Sequence, residues 1–342
     1  MNMKSIKLLT RRARLAQFAL ALPLLLGNLH NTAQAANETA KPTYPNKTVR
    51  IIVPFGPAGV ADALPRIVGQ KLSEKWGVPV VIDNKPGASG NIGMTAGILA
   101  PADGYTLTLA PTGNLTVNPT LFPNLSFDVK RDIAPITVLG ESPNLLVVNA
   151  KVPVKNLDEF INRAKQSGVS MSFGSPGTGS GPHLAGELLN QIAGTHLLHV
   201  PYNAMALAMN DVMGGTLDSM FVASAISLPH IQSGKLRVLA VAGAKRLSQL
   251  PDVPTVAESG FPGFDVTSWY GIVVPKAVPQ PIINKLHQDI SEVLKMPDVR
   301  QKFAALGVTP VGSSPQEFSA MILNESKKWG GIIHAANIKP AQ

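Results

Sequence analysis

The sequence predicts an exported α/β protein of two lobes, and three observations lead to this fold class. Short β-branched runs alternate with helical patterns along most of the chain, an order typical of parallel sheets with crossover helices. A basic and then apolar N-terminal segment is typical of a secretory signal peptide. The remaining chain of about 307 residues exceeds what one hydrophobic core usually organises, so two lobes are expected.

The signal peptide is predicted to cover residues 1–35. Basic residues precede the apolar stretch 15–27, which is too short to span a bilayer, and Ala33 and Ala35 form an A-x-A cleavage site. Arg11 and Arg12 leave a twin-arginine export route open, although the residues after them fit that motif poorly. The mature protein is therefore expected to begin near Ala36 and to be a soluble periplasmic monomer.

Composition narrows the partners that can be expected. The signal peptide holds five of the 30 Lys and Arg residues and none of the 21 Asp and Glu residues, so the net charge of +9 falls to +4 when it is removed. This weak and unclustered charge favours small anions and argues against nucleic acid as a partner. The chain contains no Cys, so neither a lipid anchor at the cleavage point nor a disulfide framework is expected.

Seven β-branched runs are predicted as strands: 49–55, 78–83, 105–110, 169–173, 197–202, 217–222 and 236–242. Two further segments, 147–154 and 267–274, are predicted to cross between the lobes. This assigns residues 146–266 to the second lobe and divides the first lobe between residues 36–145 and 267–342. Helix starts are predicted at Asn156 with Glu159, at Pro281, at Pro297, and at Ser314 with Glu317.

Glycine-rich turns follow several of these strands. Open α/β sheets bind ligands at the carboxyl ends of their strands, where each strand continues into a helix. Backbone amides and the positive end of a helix can hold an anion there without Lys or Arg. The turns cover residues 55–59, 86–90, 111–114 and 174–181. They predict a binding site for a small anion.

Nucleotide and metal sites fit the motifs less well. Turn 174–181 lacks the Lys-Ser or Lys-Thr pair of a Walker motif, and Pro182 stands where a dinucleotide fingerprint needs its third Gly. His196 and His199 would point to opposite faces of a strand, which disfavours a shared metal. Neither a nucleotide nor a metal is therefore expected.

Catalysis is also disfavoured. Ser180 and His183 lie close in sequence, but the chain lacks a nucleophile elbow, and no acidic residue in the turn would orient the imidazole. Trp269 and Tyr270, beside the predicted return crossing, are interpreted as hinge packing rather than as a stacking platform. The residues therefore favour a binding protein over an enzyme.

Eight segments of the mature chain carry motifs in a fixed order. They are 50–62 (RIIVPFGPAGVAD), 83–93 (DNKPGASGNIG), 101–107 (PADGYTL), 173–187 (FGSPGTGSGPHLAGE), 199–202 (HVPY), 214–221 (GGTLDSMF), 250–260 (LPDVPTVAESG) and 264–271 (FDVTSWYG). Together they resemble the Bug-type substrate-binding receptors of tripartite tricarboxylate transporters, over essentially the whole mature chain.

The resemblance implies a fold of the type II periplasmic binding protein class, with a mainly parallel sheet in each lobe and two hinge crossings. It implies that a di- or tricarboxylate, or a related organic acid, is held between the lobes without a cofactor. Delivery of this ligand to the membrane permease of such a transporter is expected. Signalling through a membrane sensor kinase is the alternative that the sequence leaves open.

The candidate ligand-binding residues combine this resemblance with the glycine-rich turns. The family's two ligand loops fall on residues 55–62 and 175–183, and the turn after the third strand and position 204 complete the set. The candidates are Phe55, Gly56, Ala58, Gly59, Asp62, Thr112, Gly113, Asn114, Ser175, Thr178, Gly179, Ser180, His183 and Ala204.

Four positions depart from the family pattern. Ala58 replaces a Gly, so it is strained if its φ is positive and otherwise narrows the pocket by a methyl group. Pro65 lies in the following helix, which predicts that this helix begins at Asp62 with Asp62 as the N-cap. Asn203 and Ala204 replace a Lys-Gly pair, so the identity of the ligand does not follow from the family.

Overall fold

A computed structural model describes residues 44–57, 59–202, 204–247 and 249–339. The predicted signal peptide lies outside these residues, as do Ala58 and Asn203. The chain from Lys47 to Gln342 forms one compact unit. Within the described ranges, no helix is both long enough and apolar enough to cross a membrane.

Strands and helices alternate along the described part of this unit. The strands are β1 (Val49–Val53), β2 (Val80–Asn84), β3 (Thr106–Pro111), β4 (Ile133–Asn149), β5 (Ser172–Ser175), β6 (Leu198–Pro201), β7 (Ser219–Ala223), β8 (Leu236–Val241), β9 (Thr267–Pro275) and β10 (Thr309–Pro310). The helices are α1 (Val60–Trp76), α2 (Asn91–Ile98), α3 (Thr112–Thr116), α4 (Asn118–Leu121), α5 (Val129–Asp132), α6 (Leu157–Ala164), α7 (Gly181–Ala193), α8 (Met205–Gly214), α9 (Ser224–Gln232), α10 (Gln280–Lys295), α11 (Pro297–Ala305) and α12 (Pro315–Ala335).

The strands form one sheet in the order β2-β1-β3-β9-β4-β7-β5-β6, with β8 and β10 also paired to β4. The pairs at the two ends are parallel, β1 with β2 and β3, and β5 with β6 and β7. At the centre, β9 runs antiparallel to β3 and β4, and β4 runs antiparallel to β7 and β8. The carboxyl-end turns therefore form two groups, one after β1–β3 and one after β5–β7.

Strand β4 joins the two ends of the sheet. Its residues 133–143 pair with β9, and its residues 144–149 pair with β7 and β8. The predicted crossing strand 147–154 is therefore wrong, because β4 begins much earlier and ends at Asn149. The side-chain Nδ2 of Asn149 donates to the carbonyl oxygens of Val212 and Met213 at 2.8 Å. Its Oδ1 accepts from the backbone amide of Lys151. These bonds turn the chain away from the sheet.

Two hydrophobic clusters flank the region where the two ends of the sheet meet. The first-half cluster includes Leu115, Phe127, Val138, Trp269 and Phe318. The second-half cluster includes Leu146, Phe173, Leu184, Phe221 and Trp329. Helix α12 contributes to both, with Phe318 near its start and Trp329 near its end. This helix therefore bridges the two halves.

The four helix starts predicted at residues 156, 281, 297 and 314 are confirmed. The Asn156 side chain caps α6 by accepting from the Glu159 amide at 2.8 Å. Helices α10 and α11 carry their predicted Pro in the first turn. Ser314 and Glu317 form a reciprocal capping box at α12. The return strand predicted at residues 267–274 is also present, as β9.

Candidate functional site

The turns after β1, β2 and β3 pack against one another. The carbonyl oxygen of Phe55 accepts a hydrogen bond of 2.9 Å from the Asn84 side chain. The Asn114 side chain donates to the carbonyl oxygen of Ser89, also at 2.9 Å. A Cβ atom at Gly90, whose φ is 87°, would lie 2.7 Å from Asn114 and 3.1 Å from the Phe55 ring. The three turns can therefore approach this closely because residue 90 has no side chain.

The turn after β1 has open space beside its glycines. A Cβ atom at Gly56 or Gly59 would meet no described atom within 4 Å. Gly59 has an extended backbone, with φ of −105°, and is the N-cap of α1. Ala58 lies outside the described residues, so its predicted effect on the pocket stays a prediction. The described part of this turn leaves room for a ligand.

Asp62 is not the N-cap of α1. The helix begins two residues earlier, so Asp62 lies in its first turn and Pro65 lies farther inside the helix than the sequence predicted. The Asp62 carboxylate is buried and accepts hydrogen bonds of 2.9 Å from the Arg66 guanidinium and from the Asn84 side chain. Because Asn84 also donates to the Phe55 carbonyl oxygen, Asp62 stabilises the turn after β1 through Asn84.

Thr112 fixes the turn after β3 to strand β9. Its Oγ1 accepts from the Trp269 amide at 2.7 Å and donates to the Trp269 carbonyl oxygen at 3.1 Å. Asn114 is buried two residues later and is held to the turn after β2. The predicted residues Thr112, Gly113 and Asn114 therefore form an ordered wall between β9 and the other first-half turns.

The turn after β5 is held by its own hydroxyl groups. The Ser175 and Ser180 hydroxyls donate to the Gly177 carbonyl oxygen at 3.0 and 2.6 Å. Ser180 is the N-cap of α7 and accepts from the His183 amide. Gly177 and Gly179 have φ of 128° and 80°, a region that favours glycine, and a Cβ at Gly179 would overlap Leu121 of α4. The second group of turns thus touches the first half directly.

A pair of histidines lies beneath this turn. The His183 Nδ1 accepts from the Gly179 amide at 2.9 Å, and its ring stacks on His199 with 3.7 Å between centroids. The His199 Nε2 lies 2.7 Å from the Ser175 hydroxyl. Burial, with the neighbouring His183, lowers the pKa of His199 to about 4. His183 is buried and therefore orders the turn from within, and sequence reasoning missed the part that His199 plays.

A cavity of about 110 Å³ opens where the two groups of turns meet, with space for several water molecules. Thr112 and Gly113 line it from the first group, Gly181 from the start of α7, and Ser268 from β9. The full lining is Pro111, Thr112, Gly113, Val117, Gly181, Leu184, Val266, Thr267, Ser268, Trp269, Tyr270 and Trp329. This lining contains no charged side chain, so hydroxyls and the backbone are its groups for binding an anion.

Of the described candidates, only Thr112 and Gly113 line this cavity. Ser175 is buried, Thr178 is half-buried in the same turn, and Ala204 is an exposed residue that precedes α8 as its N-cap. Sequence reasoning missed Ser268 and Trp329. Ser268 lies inside the motif 264–271 and could have been found there, whereas Trp329 is far along the chain and carries no local signal.

Trp269 and Tyr270 serve two roles. Trp269 packs edge-on against Phe318, with 5.2 Å between ring centroids, and its place at a hinge stays a prediction. Both aromatic residues also line the cavity. Burial raises the pKa of Tyr270 to about 12, so its phenol stays neutral.

Across the described residues, no group of three or more His, Asp or Glu side chains is arranged to hold a metal ion.

Comparison with known proteins identifies the family. Residues 64–338 match the family described as the tripartite tricarboxylate transporter family receptor. Protein BugT of Bordetella pertussis is 34% identical over 316 residues, which cover 92% of this chain and 97% of BugT.

Solved structures agree with this assignment. An R. palustris protein solved with adipate is 32% identical, covers 87% of this chain and 100% of its own, and superposes with a TM-score of 0.76. The periplasmic binding protein BugD is 30% identical with a TM-score of 0.73, and it covers 87% of this chain and 100% of its own. MatC from Rhodopseudomonas palustris, solved with bound malate, is 29% identical with a TM-score of 0.72, and it covers 85% and 100%.

These likenesses confirm the predicted family and its type II periplasmic binding protein fold. They also confirm the prediction of a binding receptor rather than an enzyme, because the family and the solved relatives are substrate-binding proteins. The chain belongs to the tripartite tricarboxylate transporter receptor family and is a periplasmic solute-binding receptor.

Proposed function

We propose that this receptor binds a small dicarboxylate or tricarboxylate between its two groups of turns and delivers it to a membrane permease. The observation that carries the proposal is the cavity at which Thr112 and Gly113 of one half face Gly181 of the other. A ligand with two anionic ends can contact both halves at once. Relatives solved with adipate and malate support this chemistry.

Hydroxyl groups and backbone amides supply the expected affinity. Helix α7 begins at Gly181, so its positive end faces the cavity. Ser268 adds a hydroxyl at the cavity, and Thr178 adds another at the nearby turn. Hydrogen bonds to a charged acceptor contribute roughly 1.5–3 kcal/mol each, so a few of them can replace a Lys or Arg.

Turns 55–59 and 175–180 are proposed to close around the ligand ends. Gly56 and Gly59 have no described atom within 4 Å of a hypothetical Cβ, which leaves their amides approachable. The turn after β5 is ordered by internal hydrogen bonds and by His183. A prearranged turn loses little conformational freedom when a ligand binds, which favours affinity.

Calorimetry with a panel of mono-, di- and tricarboxylates tests the proposal. At least one dicarboxylate or tricarboxylate should bind with 1:1 stoichiometry. The same acid should raise the melting temperature, because ligand at one hundred times its dissociation constant stabilises a protein by about 2.7 kcal/mol. Lack of any response across the panel, with folded protein, would overturn the proposal.

Export and cleavage near Ala35 are proposed from the N-terminal sequence, which lies outside the described residues. N-terminal sequencing of protein recovered from the periplasm should give a start near Ala36. Mass spectrometry of the same sample should show the loss of residues 1–35. Retention of residues 15–27 in a membrane fraction would contradict this expectation.

A further inference from the structure

Two tryptophan side chains that line the cavity share one hydrogen-bond acceptor. The indole Nε1 of Trp269 donates to Glu325 Oε2 at 3.0 Å, and the indole Nε1 of Trp329 donates to the same oxygen at 3.3 Å. Both tryptophans are 2% exposed. An indole nitrogen is a donor only, so without Glu325 each buried N–H would lose its partner.

These indoles belong to different halves of the molecule. Trp269 lies in the first-half cluster with Phe318, and Trp329 lies in the second-half cluster with Leu184. The backbone of Trp269 is in turn bonded to Thr112, which lines the cavity from the first group of turns. One carboxylate oxygen therefore connects the two cores at the wall of the cavity.

Charged groups surround Glu325 together with the two indoles. Burial raises the pKa of Glu325, while Lys328 and the two indole hydrogen bonds act in the opposite direction and Asp265 adds to the rise. The Lys328 ammonium donates to the Asp265 carbonyl oxygen and lies 4.3 Å from the centre of the Trp329 ring. A second cavity beside Glu325 also carries the charged groups Glu141, Lys245, Arg246, Asp265 and Arg300.

We infer that Glu325 is a positioning residue for the ligand cavity, and that its carboxylate holds Trp269 and Trp329 in one fixed relation across the junction of the two halves. The two indoles form two apolar walls of the cavity, and the carbon chain of the ligand lies between them. Their separation then limits the ligands that the cavity accepts. Glu325 acts through these indoles and does not contact the ligand. The ligand-affinity test below rests on the proposed function, whereas the indole test does not.

Indole resonances in ¹⁵N-labelled full-length mature protein test the shared acceptor without any ligand. The chain has three tryptophans, and Trp76 donates to Asp289 instead, so its resonance is an internal control that Trp76→Phe identifies. Between about pH 4 and 8, the other two resonances should shift together with one midpoint, above the usual range for glutamate. In Glu325→Gln both should stay fixed. Independent midpoints, or shifts that persist in Glu325→Gln, would overturn the inference.

Affinity for malate and adipate tests the consequence for binding. Gln keeps an acceptor oxygen, so Glu325→Gln should bind within about threefold of the unmodified protein, whereas Glu325→Leu should lose at least about tenfold. Glu317→Gln is the matched control, because Gln also completes a capping box and the change removes a carboxylate from the same helix. Equal affinity of Glu325→Leu and the unmodified protein, or an equal loss in Glu325→Gln, would overturn the inference. If neither acid binds the unmodified protein, the acid that binds in the carboxylate panel replaces them. If no acid of the panel binds, the proposed ligand class fails and the indole titration alone decides the role of Glu325.

Discussion

At the scale of single residues, Thr178 differs from the serines of its turn. The Ser175 and Ser180 hydroxyls are bonded to Gly177, whereas no hydrogen bond to the half-buried Thr178 hydroxyl occurs among the described residues. We expect Thr178→Ala to weaken carboxylate binding about tenfold, equivalent to about 1.4 kcal/mol. Its free energy of unfolding should barely change, because no internal bond is lost. Calorimetry and urea unfolding measure the two quantities.

Ser180→Ala is the matched comparison. It should also weaken binding about tenfold, but with a loss of about 1 kcal/mol in the free energy of unfolding, since Ser180 caps α7. A silent Thr178→Ala would argue that this hydroxyl faces solvent rather than ligand.

Arg66 and Lys85 are the cations nearest to the turns in sequence. Arg66 pairs with buried Asp62 at 2.9 Å, whereas Lys85 lies 3.6 Å from the more exposed Asp83. Arg66→Gln would leave the Asp62 charge partly uncompensated beside an anion-binding turn. We expect roughly threefold weaker ligand binding from Arg66→Gln and no change from Lys85→Gln, measured by calorimetry at low salt.

The contrast between the two variants carries this prediction. A hundredfold loss from either substitution would instead indicate a direct salt bridge to the ligand. Equal small effects would indicate that both cations act on the ligand only through long-range attraction.

Residue-level prediction succeeded where local chemistry decides. The cap at Asn156 depends on Glu159, three positions away, and the capping box at Ser314 depends on Glu317, so the sequence displays both. The prediction of Asp62 as an N-cap was wrong because its role depends on Asn84, which approaches Asp62 only when β1 and β2 pair. Glu325 and Trp329 were missed for the same reason. Glu325 binds the indole of Trp269, which lies more than fifty positions away, and Trp329 shares this acceptor.

At the scale of elements, most strands were predictable, including β8 and β9 at the centre of the sheet, whereas the first part of β4 was not. The run predicted at residues 105–110 is β3 within one position, because β-branched alternation and flanking turns mark it. The first part of β4 was missed. Pro135 and Pro143 interrupt its apolar run, and proline argues against a central strand in sequence. Here both are accommodated, and the pairing of β4 with β9 shifts register just after Pro135.

His199 of β6 contacts Ser175 of β5 and His183 of α7, and these contacts predict a pH dependence of stability. The pKa of His199 falls from 6.5 to about 4 in the folded protein, through burial and the adjacent His183. Between these values the unfolded chain binds more protons than the folded protein, so the free energy of unfolding falls as the pH falls. Relative to His199→Gln, we expect the unmodified protein to lose roughly 1 kcal/mol between pH 7 and 5, since the imidazole is partly exposed.

Urea unfolding at both pH values measures this difference. His196→Gln is the matched control, because His196 is exposed and precedes the same strand. It should keep the pH dependence of the unmodified protein. Parallel stability curves for the unmodified protein and His199→Gln would show that His199 does not titrate in this way.

At the scale of the whole molecule, the domain limits remain a prediction that the sheet supports. Residues 144–149 of β4 pair with β7 and β8, close to the predicted start of the second lobe at residue 146. Strand β9 begins at Thr267, where the return to the first lobe was predicted. The return was predictable because the motif around it is recognisable, whereas the outward crossing had to be placed within one long apolar strand.

Closure of the lobes is the last prediction. A ligand that contacts both groups of turns favours the closed arrangement, because its binding free energy differs between the open and closed states. A compact chain of about 307 residues has an expected radius of gyration of about 19 Å. Small-angle scattering of the mature protein should approach this value with saturating ligand and exceed it without ligand. The ligand should be the acid that gives the largest thermal shift, and Thr178→Ala at the same sub-saturating concentration should close less. An identical radius of gyration with and without saturating ligand would contradict closure of the predicted second lobe, residues 146–266, onto the first.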